Sequence, residues 1–105
     1  ILHQQLRQVT SVVNFMPEEK ILTQGEVNHN LYFLVLGTVN VFVDEGLVAT
    51  LTRKGDLLGE MSVITKKPAG ATIVAQTPVQ LIKVDTEAFK KLTGRNTDQF
   101  DHILY

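Results

Sequence analysis

Between Ile21 and Val84 the chain repeats one pattern, short runs of β-branched and aromatic residues stopped by glycine, asparagine or aspartate at intervals of about eight to twelve residues. Runs this short leave little room for helices of ordinary length, and the rhythm is that of a β-sandwich or barrel. It predicts strands at Lys20–Thr23, Leu31–Leu36, Val39–Val43, Leu47–Leu51, Ala71–Gln76 and Val79–Val84, with a shorter one at Asp56–Leu58. Turns fall at Gly25 to Asn30, Gly37-Thr38, Asp44-Glu45-Gly46 and Arg53 to Asp56. Thr77-Pro78 makes the last turn, because proline has a fixed φ and no N–H to give to a central strand.

Outside this stretch the period lengthens. Leu2, Leu6, Val9 and Val13 recur at steps of 4, 3 and 4, which predicts an amphipathic helix over residues 1–14. Pro17 with Glu18 and Glu19 marks a turn or the start of a short second helix. Asp85 stands at a helix N-cap, Lys90 and Lys91 suit the C-terminal end of that helix, and Gly94 is placed to end it. Phe100, Ile103 and Leu104 then form the apolar stripe of a final helix, expected to bury against the barrel, a neighbouring helix or a partner chain in a homodimer seam. The expected fold is mainly β, a jelly roll of about eight strands with N-terminal and C-terminal flanking helices.

Composition narrows the function. At 105 residues the chain supports one hydrophobic core, hence one domain over 1–105. Ten Lys+Arg against 11 Asp+Glu give a formal net charge of −1, which argues against an open, non-specific nucleic-acid binder. There is no cysteine, so no disulfide, thiolate zinc site or cysteine nucleophile, in keeping with a cytoplasmic location. No apolar run approaches the roughly 18–20 residues of a membrane helix. The first residue is Ile1 and not methionine, so the chain reads as a piece of a longer protein. His3, His29 and His102 fall outside the predicted strands, unlike the clustered histidines of a metal-binding jelly roll, and no metal is expected. No Ser–His–Asp spacing, paired-carboxylate arrangement or P-loop stands out, so the chain is expected not to be an enzyme.

One segment departs from the strand rhythm. Gly59-Glu60-Met61-Ser62-Val63-Ile64 has room for one or two helical turns, and a short helix opened by glycine exposes unpaired N–H groups. Read alone, Glu60 is a helix-start carboxylate near backbone amides. The wider order of motifs is more specific. Gly25-Glu26, Leu31-Tyr32-Phe33 with Gly37, Val39-Asn40-Val41 and Gly55-Asp56 precede Leu58-Gly59-Glu60-Met61-Ser62-Val63-Ile64. After a gap of three residues comes Pro68-Ala69-Gly70-Ala71-Thr72-Ile73. This order resembles the cyclic-nucleotide-binding domain family of the catabolite-activator and protein-kinase-A regulatory type, over nearly the whole chain.

The resemblance implies an N-terminal helical segment at 1–19, a β-roll at 20–84 with a phosphate-binding cassette helix at 59–64, and hinge and lid helices at 85–105. It also implies a ligand site made by Leu58, Gly59, Glu60, Met61, Ser62, Ala69, Gly70, Ala71 and Thr72, with cyclic AMP or cyclic GMP as ligand. In the family the cassette glutamate accepts from the ribose 2′-hydroxyl, which maps onto Glu60, and backbone amides hold the cyclic phosphate. The arginine that pairs with the phosphate in the family is Ala69 here, so cyclic nucleotide affinity is expected to be weak. Lys66 and Lys67 are the nearby candidates for a substitute charge, although lysines between strands are ordinarily solvated. The expected role is a regulatory module relaying to an attached effector domain. The alternative is a ligand-free interaction or dimerisation module on the same fold.

Overall fold

A computed structural model describes residues 9–88 of the chain. Within them the order is β1 (Thr10–Phe15), β2 (Lys20–Leu22), β3 (Asn30–Leu36), β4 (Val39–Val43), β5 (Gly46–Leu51), β6 (Leu57–Leu58), α1 (Glu60–Thr65), β7 (Thr72–Ala75) and β8 (Val79–Asp85). The strands form two four-stranded antiparallel sheets, β1-β8-β3-β6 and β2-β7-β4-β5. Both sheets contribute to one core. Tyr32, Leu34, Leu58, Val79 and Leu81 come from the first, and Ile21, Leu22, Val39, Ile73 and Ala75 from the second. Side-chain alternation selects which residues enter it: Val79 and Leu81 of β8 and Ile73 and Ala75 of β7 are buried, while their neighbours are more exposed. The mainly β jelly roll expected from the sequence is the observed fold.

The helix predicted over 1–14 is corrected in its second half, while residues 1–8 lie outside the described residues. Thr10 to Phe15 form β1, antiparallel to β8 from Thr10↔Val84 to Phe15↔Val79. The sequence Thr-Ser-Val-Val-Asn-Phe satisfies two periods at once. Its helical stripe uses Val9 and Val13, but a strand puts Val13 and Phe15 on the core while Val12 and Asn14 face outward. As a strand the segment also pairs the otherwise open edge of β8 and packs Val13 and Phe15 on the core, and the β-branched residues suit it.

Strand ends elsewhere differ from expectation by a residue or two, as at β5, which starts at Gly46, and β8, which ends at Asp85. The β4–β5 register passes from Val41↔Ala49 to Phe42↔Leu47, so Val48 is an extra, bulged residue on the sheet's outer strand. The turn at Pro17 is present, with the Glu18 N–H bonded to the Ala75 carbonyl at 2.7 Å. Asp85 caps the next helical turn by accepting from the Ala88 N–H at 3.1 Å. The expectations placed on Gly94, Phe100, Ile103 and Leu104 lie outside the described residues, as do those on His3 and His102.

Candidate functional site

The site starts where β6 ends. Leu58 is buried in the core, and the chain then turns through Gly59 at φ +84°. A Cβ built at Gly59 would lie 2.8 Å from Asn28 Nδ2 and 2.9 Å from the Asn30 carbonyl oxygen. Left-handed backbone and this close approach together require glycine. The chain then enters α1. No side chain caps this helix, leaving the N–H groups of its first turn without intrahelical partners.

Two buried residues seat α1. Val63 packs against Leu31 and Val84. The Ser62 hydroxyl donates to the Gly59 carbonyl at 3.0 Å and accepts from Asn28 Nδ2 at 2.9 Å. The Asn28 amide also donates to the Asn30 carbonyl, and its oxygen accepts from the Asn30 N–H. Ser62 is therefore a brace between helix and loop, with its hydroxyl already engaged. The helix stops at Lys66, which adopts φ +60° and donates its N–H to the Ser62 carbonyl. The return segment is fixed by a two-bond ladder: Gly25 N–H to the Ala69 carbonyl at 2.8 Å, and Ala69 N–H to the Glu26 carbonyl at 2.9 Å.

These elements enclose a cavity of about 390 Å³. Leu58, Gly59, Glu60, Met61, Ser62, Ala69, Gly70 and Ala71 all line it, so eight of the residues expected from the sequence share one wall. Thr72 is not among the cavity-lining residues: its Oγ1 accepts from the Gln24 N–H at 2.9 Å. The strand period accounts for this placement, because Ala71 and Ile73 line the cavity and Thr72 between them takes the opposite face. The remaining wall was not singled out from the sequence. It consists of Leu22, Val41, Ala49, Leu51, Leu57 and Ile73. The usable signal was the strand alternation that pairs Val41 with Ala49 across β4 and β5.

The electrostatics of the cavity are lopsided. Glu60 is half-buried, and its carboxylate has no hydrogen-bond or ion-pair partner among the described residues. Among the described residues no Lys, Arg or His lines this cavity. Lys66 and Lys67 are exposed and border a separate hollow of about 270 Å³. That hollow also contains His29 and Glu87, whose side chains approach to 3.8 Å. A third hollow meets the other side of Ala69 and includes Lys20 and Tyr32. Burial raises the pKa of the Tyr32 phenol, partly offset by a hydrogen bond with Asn30. No three His, Asp or Glu side chains gather as a metal site among the described residues.

The start of the C-terminal helical turn is tied to the same loop. Thr86 is buried, and both its N–H and its hydroxyl donate to the His29 carbonyl. Asn28 thus bonds to α1 while its neighbour His29 bonds to Thr86.

Comparison with protein families matches residues 12–96 to the cyclic nucleotide-binding domain. The cAMP-dependent protein kinase regulatory subunit of Colletotrichum orbiculare is 30% identical over 81 residues, covering 76% of this chain and 21% of its own. Among solved structures, cAMP-bound PfPKA-R superposes with a TM-score of 0.73 at 31% identity, covering 82% of this chain and 30% of that one. The catabolite activator protein of Thermus thermophilus gives a TM-score of 0.73 at 25% identity, covering 90% and 46%. The chain thus spans about a fifth of the length of the kinase regulatory subunit it matches.

Proposed function

Since this chain belongs to the cyclic nucleotide-binding domain family, we propose that it is a non-catalytic regulatory module that takes a small ligand into the cavity beside α1. In this reading the module acts in the cytoplasm and relays occupancy to an effector domain of a longer protein. The supporting observation is the shared wall formed by Gly59 to Ser62 and Ala69 to Ala71, with an unpartnered Glu60 carboxylate in it. Glu60 is an acceptor suited to a ribose hydroxyl, and the first-turn amides of α1 are donors. The relay runs through Asn28 and His29, which bond to α1 on one side and Thr86 on the other.

Ala69 sets the affinity. Charge-assisted hydrogen bonds contribute about 1.5–3 kcal/mol each, so a cassette without its arginine binds cyclic AMP or cyclic GMP weakly. Isothermal titration of the unaltered chain is expected to show no saturation at low micromolar cyclic nucleotide. Ala69→Arg is expected to tighten binding by at least ~2 kcal/mol, roughly thirtyfold, with the gain reduced by added salt. Nanomolar binding by the unaltered chain would overturn the role given to Ala69. An Ala69→Arg variant that folds and binds nothing would favour the second reading, an interaction module on the same fold, for which the missing charge partner is the supporting observation.

A further inference from the structure

We infer that this cavity selects an uncharged ligand, a nucleoside in preference to a nucleotide. The inference rests on reading the cavity as a ligand site. Its volume of about 390 Å³ lies in the range of roughly 300–1,000 Å³ that holds small organic ligands. Val41, Leu51, Leu57, Leu58, Met61 and Ile73 supply an apolar wall for a flat ring. Against that wall stands one charged group, the Glu60 carboxylate, which can only accept hydrogen bonds and has no partner of its own. A sugar diol offers the donors this carboxylate lacks.

A phosphate offers the opposite. It would bring a second negative charge into a space already holding one, with no cation among the described lining residues to offset either. The exposed lysines do not supply one, because Lys66 and Lys67 border the other hollow. Nor does α1, whose six residues align too few peptide dipoles to replace a guanidinium. At Ala69 the wall presents only a methyl group, buried and held by its backbone bonds to Gly25 and Glu26. The lining therefore favours a neutral sugar hydroxyl over a charged phosphate.

The test is isothermal titration of the folded chain with adenosine, guanosine, cyclic AMP and cyclic GMP at two salt concentrations. At least one nucleoside is expected to bind about tenfold or more tightly than its own cyclic nucleotide. Its affinity should change little with salt. Glu60→Gln keeps the shape and removes the charge, and it should shrink that preference by weakening nucleoside binding more than cyclic nucleotide binding, where the weaker 2′-hydroxyl contact is offset by the lost repulsion with the phosphate. Because Ala69 is buried, Glu60→Gln keeps the test available even if Ala69→Arg does not fold. Cyclic nucleotide binding as tight as nucleoside binding in the unaltered chain overturns this inference and leaves the ligand-sensor reading standing. Silence toward all four compounds, with cyclic nucleotide bound by Ala69→Arg, overturns it too and still leaves the sensor reading. Silence in both proteins removes the ligand site itself, and the sensor reading falls with it.

Discussion

Adding a single methyl group at Gly59 combines two separate costs. The backbone there is left-handed at φ +84°, which disfavours any L side chain by about 1–2 kcal/mol. The new Cβ would also stand 2.9 Å from the Asn30 carbonyl oxygen, an atom fixed in the sheet and unable to swing aside. Overpacking of this kind costs about 1–3 kcal/mol. Gly59→Ala is therefore expected to lower unfolding free energy by about 2–5 kcal/mol in urea titrations. Gly25 and Gly55 also have positive φ, but a Cβ at either meets nothing within 4 Å, so alanine there should cost less. Equal losses at all three positions would contradict the role given to close packing at Gly59.

At the scale of elements, the short loop before β3 has most influence on the site. Asn28 supplies three hydrogen bonds, to Ser62 Oγ, to the Asn30 carbonyl and from the Asn30 N–H. At about 0.5–1.5 kcal/mol net for each, Asn28→Ala should destabilise the region by about 1.5–4.5 kcal/mol. Native-state hydrogen exchange should detect this as faster exchange at the Val63 and Lys66 amides, which are bonded within α1. The central β8 amides should retain more of their protection. Unchanged exchange in α1 would mean that Val63 packing alone seats the helix.

The same elements explain what could be read from the sequence. The cassette was legible because its motif is contiguous, with Gly59, Glu60 and Ala69 at fixed spacing. The apolar cavity wall was not, since Val41 and Ala49 come together only through the pairing of β4 with β5. The first strand was misread for a different reason. Val9 and Val13 fit a helical period, and the β8 edge that converts Thr10 to Phe15 into a strand lies at the far end of the chain. Thr72 belongs to the motif but lies off the cavity wall, because a motif gives order along the chain and the face of a residue depends on its place in the pleat.

For the whole molecule, topology sets how the fold is reached. β1 pairs with β8, and β2 pairs with β7, so each sheet closes only after most of the chain has been gathered. Such non-local pairing places folding in the millisecond-to-second range and well above microseconds. Stopped-flow refolding is expected to fall in that window, and a microsecond phase carrying the full amplitude would contradict the pairing. α1 lies between β6 and β7 in the chain and packs against Leu31 and Val84 of the other strands. Its seat is therefore complete only when the first sheet is.

The bulge in β5 has a consequence for life at high concentration. This outer strand carries no proline or charged residue, and Leu47 and Val48 are both exposed, 58% and 61%. A straight strand of that composition would be a template for a neighbour's backbone, the first step toward a fibril. The extra residue at Val48 breaks the regular spacing of the outward amides and carbonyls and twists the strand away from a flat ladder. A chain arriving at this edge meets a mismatch after a few residues. The irregularity thus interrupts the regular ladder along a greasy border that carries no charged residue of its own.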